Sequence, residues 1–191
     1  NFLGQKTYEI FLFVNGALGT ILLGAAVATF FTGSKFSVDF AAITRVGDSA
    51  ISRWEAPSRG LEAALNIHNL SLGLTVFFLA RILGLLYFMN SVDHKEILER
   101  SKKSLLRNTI PFLVVFLTFA VILLLRKGFA VDPATGVVSY EKYKYLHNLI
   151  GMPVVAVLFL AGVVLVLFGI GKSLLTEGYT KGIWFTGFRT V

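Results

Sequence analysis

Four long runs of this chain are almost free of charge, and charged or polar stretches separate them. The first extends from about Ile10 to Phe31 without a charged side chain, and the second, from about Leu70 to Met89, holds only Arg81. The third, about Asn108 to Leu125, lies between Arg107 and Arg126, and the fourth, about Asn148 to Gly171, ends at Lys172. A helix needs about 20 apolar residues to cross the hydrocarbon of a bilayer, where no water satisfies backbone groups and only bonding within the helix does. The pattern therefore predicts an all-α membrane protein, a polytopic transmembrane helix bundle forming one domain over residues 1–191. Pro111 and Pro153 are expected in the first turns of their spans, where a missing N–H costs little. A new apolar stretch opens at Gly182, so the chain is read as four full spans plus the start of a fifth at 182–191. Beginning at Asn1 and stopping inside that stretch, it is expected to be a piece of a longer protein.

The connecting segments set an expected orientation. The segment from Ser91 to Arg107 is short and holds Lys95, Arg100, Lys102, Lys103 and Arg107, which assigns it, with the Asn1 end, to the cytoplasmic side. The loops 32–65 and 127–147 then face outward. Gly128 to Tyr140 carries a turn signal at Asp132–Gly136 between two β-prone runs, which predicts a β-hairpin on the outer surface, with Tyr140, Tyr143 and Tyr145 at the interface. Pro57 to Ala64 opens with helix-start residues and predicts a short interfacial helix.

Composition agrees with a chain that meets lipid: 55% of residues are hydrophobic and 15% charged. The absence of cysteine excludes thiolate-held clusters, Cys-based zinc sites and disulfides. The net charge of +7 does not point to nucleic acid, because Lys and Arg fall in the stretches between spans, where membrane topology accounts for them.

Few residues offer chemistry. Gly16, Thr20, Gly24 and Ala28 form a stripe of small residues on the first span, and Ala80 and Gly84 repeat it weakly on the second; both are read as helix-packing surfaces. Arg81 stands out, because a guanidinium that does not deprotonate is costly within an apolar span unless it snorkels, pairs or faces water. No acidic residue lies within the four runs, so its partner is expected to be a missing helix, another subunit, backbone carbonyls or an anionic lipid. Both a structural ion pair and a role in proton or substrate movement remain open. His68 and His147 each precede a span, which admits a bis-His haem as well as plain interfacial polar caps, whereas His94 lies in the charged segment and is expected to be solvated. No Ser/His/Asp set, paired carboxylates, phosphate loop or metal-ligand repeat is present, so no catalytic or metal residue is assigned.

The order of segments resembles subunit II of the cytochrome bd quinol oxidases, over essentially the whole chain. The stretches that carry the resemblance are Asn15-Gly16, Leu22 to Phe31, Leu72 to Phe88, Tyr143 to Pro153, Val164 to Ile170 and Lys181 to Phe185. It is similar to the longer form of that subunit found in Bacteroidetes. The resemblance implies a bacterial inner-membrane protein that packs beside subunit I, which holds haem b, haem d and the quinol-oxidising loop. It implies no haem and no catalytic residue in this chain, with lipid or quinone contact as its expected small-molecule role. A secondary transporter and a bis-His membrane cytochrome are the alternatives from other classes.

Overall fold

The computed structural model describes residues 4–39, 52–176 and 180–187. Its elements are α1 (Gln5–Thr32), β1 (Phe36–Val38), β2 (Ser52–Trp54), a 3-10 helix (Leu61–Leu65), α2 (Ile67–Ser91), α3 (Lys95–Leu125), β3 (Gly128–Val131), β4 (Val138–Glu141), α4 (Lys144–Gly151), α5 (Pro153–Leu175) and α6 (Gly182–Gly187). Four of the helices, α1, α2, α3 and α5, are long and apolar enough to cross a membrane, as the pattern of the sequence predicts. The chain divides into two compact units, Asn1–Phe77 and Phe78–Val191.

In the first unit α1 packs on the start of α2 through glycine. A Cβ at Gly24 would stand 2.7 Å from the Gly73 Cα and 2.9 Å from the Leu72 carbonyl, distances that leave no room for any side chain. Ala25 and Ala28 are buried along the same face of α1, and outside it Phe30, Leu23 and Leu12 are exposed. Gly33 ends α1 in the left-handed region (φ 72°), where its N–H bonds the Thr29 carbonyl. The chain then makes a hairpin the sequence reading did not foresee: β1 and β2 pair antiparallel with Phe36 opposite Trp54, and their rings meet edge to face at 6.4 Å. Residues 40–51, within the loop 32–65 that is expected to face outward, lie outside the described residues.

The short helix expected from Pro57 does not form. Arg59 and Gly60 have φ of 49° and 95°, left-handed values that a right-handed helix cannot run through, so residues 57–60 turn and only Leu61–Leu65 winds, as a 3-10 helix. Gly60 is required twice over, since a Cβ there would also meet the Trp54 ring at 2.9 Å.

The second unit has its core among α2, α3 and α5, where Ile82, Leu86, Met89, Leu105, Phe112 and Ile170 are buried together. Here α3 departs from expectation. It starts at Lys95, so most of the segment read as a charged loop is helix, and Pro111 lies in the helix interior instead of the first turn. The charges lie at helical spacing: Glu96 and Arg100 pair across one turn, while Ser101 and Leu105 turn inward. With 31 residues, α3 is about 46 Å long at the usual rise, well beyond the ~30 Å of a hydrocarbon core.

The hairpin read from the sequence is present, with Gly128, Phe129, Ala130 and Val131 opposite Glu141, Tyr140, Ser139 and Val138. Asp132 builds its turn, accepting from the Ala134 N–H and the Thr135 hydroxyl, and Gly136 closes it at φ 67°. The fourth span begins later than the expected Asn148. Met152 leaves helical geometry (φ −119°, ψ 73°), because the residue before a proline is pushed out of the helical region, and Pro153 opens α5 at its first position. α4 is thus a separate helix. α6 covers Gly182–Gly187 of the expected fifth span, and residues 188–191 lie outside the described residues. It crosses α5 closely: a Cβ at Gly182 would strike the Ser173 hydroxyl, and Ser173 and Thr186 are fully buried.

Candidate functional site

The intramembrane charge singled out in the sequence has a partner within the chain. Arg81 Nε donates to Asn108 Oδ1 at 2.7 Å, and the Asn108 amide nitrogen donates at 2.7 Å to the Ser104 carbonyl one turn earlier on α3. Asn108 is buried, while the Arg81 side chain reaches the surface of the unit. The pair forms because α2 and α3 are joined by only Val92, Asp93 and His94 and run antiparallel, so residues at similar distances from that turn come level. Asn108 stands where α3 changes from charged to apolar, and the bond holds the guanidinium at that level although Arg81 lies well inside the apolar stretch of α2. None of the partners expected from the sequence was a neutral amide on the next helix. A guanidinium offers only N–H donors and the amide both donors and an acceptor, so the pair can orient a positive charge or hold an anion.

A second polar constellation lies in the first unit. Asn66 caps α2 with its side-chain oxygen accepting from the His68 N–H at 3.0 Å. Asn69, fully buried, donates to the Ala63 carbonyl at 2.8 Å and accepts from the Thr32 hydroxyl at 3.0 Å, which ties the end of α1 to the 3-10 helix and α2. His68, Ser71 and Thr75 are buried on α2, with the two hydroxyls donating back to carbonyls of their own helix. Nearby, Glu62 accepts from the Ser58 hydroxyl and the Gly60 N–H, and these bonds hold its carboxyl below the ordinary glutamate range.

The third lies at the β3–β4 hairpin. Glu141 takes Lys144 at 2.9 Å and the His147 ring at 2.7 Å, and these partners, Lys144 first, lower its carboxyl below the ordinary range. Tyr143 makes this possible by turning the chain in the left-handed region (φ 56°) just before α4, which brings Lys144 and His147 back over the strand end.

Of the residues named from the sequence, Gly24 lies at a helix crossing and Gly16 faces open space, with nothing within 4 Å of a Cβ built there. Gly84 is likewise open, and the glycine that answers Gly24 is Gly73. His68 and His147 belong to different units, and His94 is exposed at the start of α3. Among the described residues no three His, Asp or Glu side chains gather as a metal-binding set. The signal for Asn108 was present in the sequence, as the first amide after the cationic stretch and at a matching distance from the α2–α3 turn, but only once that stretch is read as helix.

The family model for cytochrome bd terminal oxidase subunit II matches residues 2–190. No curated protein and no solved structure matches the chain.

Proposed function

From the membership of this chain in the cytochrome bd terminal oxidase subunit II family, we propose that it is the non-catalytic membrane subunit of a bacterial quinol oxidase. It packs in the cytoplasmic membrane beside a haem-bearing subunit I, which oxidises quinol and reduces dioxygen to water. The observation that carries this reading is the family match over nearly the whole chain, joined to four helices of spanning length.

The surface supports a role in assembly. Only 11% of the apolar windows of α1 and α5 is buried, and 28% and 22% of those of α2 and α3, so wide apolar faces of these helices need lipid or another membrane subunit to cover them. Haems b and d are assigned to subunit I. In this chain the His147 ring is engaged by Glu141, and His94 is exposed at the start of α3. A permease would favour a helix broken near the membrane midplane. The break at Met152 instead falls at the edge of the apolar run of α5.

Co-expression with and without subunit I tests the reading. Reduced-minus-oxidised spectra and oxygen uptake are expected to depend on both chains; full assembly and turnover in the absence of this one would refute it.

A further inference from the structure

The β3–β4 hairpin has two unlike faces. Side chains alternate along a strand, and residues directly opposite in a pair share a face, so Phe129, Val131, Val138 and Tyr140 lie together and Gly128, Ala130, Ser139 and Glu141 lie together. The second face is covered at its Gly128 and Glu141 end, while Ser139 is exposed. A Cβ at Gly128 would meet Lys144 at 3.0 Å, and Glu141 binds Lys144 and His147, so this side is turned toward α4. The first face is entirely apolar or aromatic and is exposed, with 75%, 63%, 60% and 57% of Phe129, Val131, Val138 and Tyr140 accessible. Its two rings meet at 5.0 Å, so the face presents one joined surface.

We propose that this face is a membrane-surface anchor whose occupant is the phospholipid bilayer itself, at the boundary between headgroups and acyl chains. The hairpin is bound to that level by the chain. Only Arg126 and Lys127 separate Leu125, the end of α3, from Gly128, a reach of about 10 Å even when fully extended. Along the chain, exposed Val121 and Leu125 of α3 precede the hairpin, and exposed Ile150, Met152 and Val154 follow it into α5. Charges of both signs flank the face, Arg126, Lys127, Lys142 and Lys144 against Asp132 and Glu141, and Glu141 is taken up by Lys144 and His147, so the excess is cationic, which suits phosphate headgroups. A tyrosine and a phenylalanine are rings that reside well at such a boundary, with the Tyr140 hydroxyl able to reach water.

The chain has no cysteine, so each introduced thiol is its single labelling point. Nitroxide labels at Phe129→Cys, Val131→Cys and Val138→Cys, and at Ser139→Cys on the opposite face, are read in the full chain assembled with subunit I in vesicles of phosphatidylethanolamine and phosphatidylglycerol. Collision with oxygen, which concentrates in lipid, is compared with collision with a water-soluble nickel chelate. The expected result is an oxygen-to-nickel ratio several-fold higher at 129, 131 and 138 than at 139. Ready collision with nickel at all four positions overturns the proposal, because the face is then in water. Immobile labels shielded from both reagents overturn it too, because a protein then covers the face. Val131→Cys and Val138→Cys, the smaller changes, carry the test if Phe129→Cys does not assemble.

Discussion

Gly24 and Gly73 meet backbone to backbone: a Cβ on the first would lie 2.7 Å from the Cα of the second, and one on Gly73 would lie 2.6 Å from the Ile21 carbonyl. Backbone cannot move aside as the end of a flexible side chain can, so a larger residue must push α1 from α2. Gly24→Val is expected to destabilise the protein by about 1–3 kcal/mol. Gly16→Ala, at an open position of the same helix, is expected to be neutral. Thermal unfolding in detergent, followed by size-exclusion profile, separates the two, and equal effects would deny the crossing.

Arg81 and Asn108 make a linked pair, so a change at either alters what holds the other. Asn108→Leu is expected to cost about 0.5–1.5 kcal/mol through the broken bond. The double variant with Arg81→Leu should cost less than the sum of the single changes. Strict additivity in a double-mutant cycle of unfolding would show that the two side chains act independently. Arg81→Leu alone is further expected to lower the yield of assembled oxidase, measured by its haem spectrum.

Asn69 is buried and uses both ends of its amide, toward Ala63 and toward Thr32. Asn69→Leu leaves the Ala63 carbonyl and the Thr32 hydroxyl without this partner, with an expected cost of about 1–3 kcal/mol. Thr32→Val, which removes a hydroxyl that also approaches the Ala28 carbonyl, should cost less. Limited proteolysis within residues 56–66 reports the loosening directly, and unchanged cleavage in Asn69→Leu would contradict the role given to it.

Glu141 sets an acid limit on the hairpin. Its carboxyl is held low by Lys144 and His147, so its contribution is full at pH values above the ordinary glutamate range and fades as the pH falls through its lowered value. Amide exchange over residues 128–141 should speed up on acidification across that interval, beyond the intrinsic pH effect. In Glu141→Gln the added acid sensitivity is expected to vanish; its persistence would assign the effect elsewhere.

The spans are legible because lipid leaves a continuous signature: α1 and α2 follow from long apolar runs in which Arg81 is the one charge. α3 is longer than its apolar run predicts, because its first turns are crowded with Lys, Arg and Glu, a composition shared with exposed loops. The i, i+4 placement of Glu96 and Arg100 was the helical signal there. At α5 Pro153 stands at the first turn as its chemistry requires, while Asn148 to Met152 is apolar enough to suggest an earlier start than the helix has. The β1–β2 pairing could not be read, because register across a long connection depends on contacts no local pattern encodes. In the candidate site the charge of Arg81 was conspicuous. Its partner was not, because a neutral amide carries no mark of having been chosen until helix α3 sets it opposite.

Pro111 has no N–H to give the Arg107 carbonyl, so the hydrogen-bond ladder of α3 lacks a rung three residues past Asn108. A long rod with one missing rung has its lowest bending stiffness there. Force applied to the cationic end of α3 is therefore taken up as flexure at Pro111, one turn from the residue that Arg81 grips, and reaches the apolar end only as far as that joint resists.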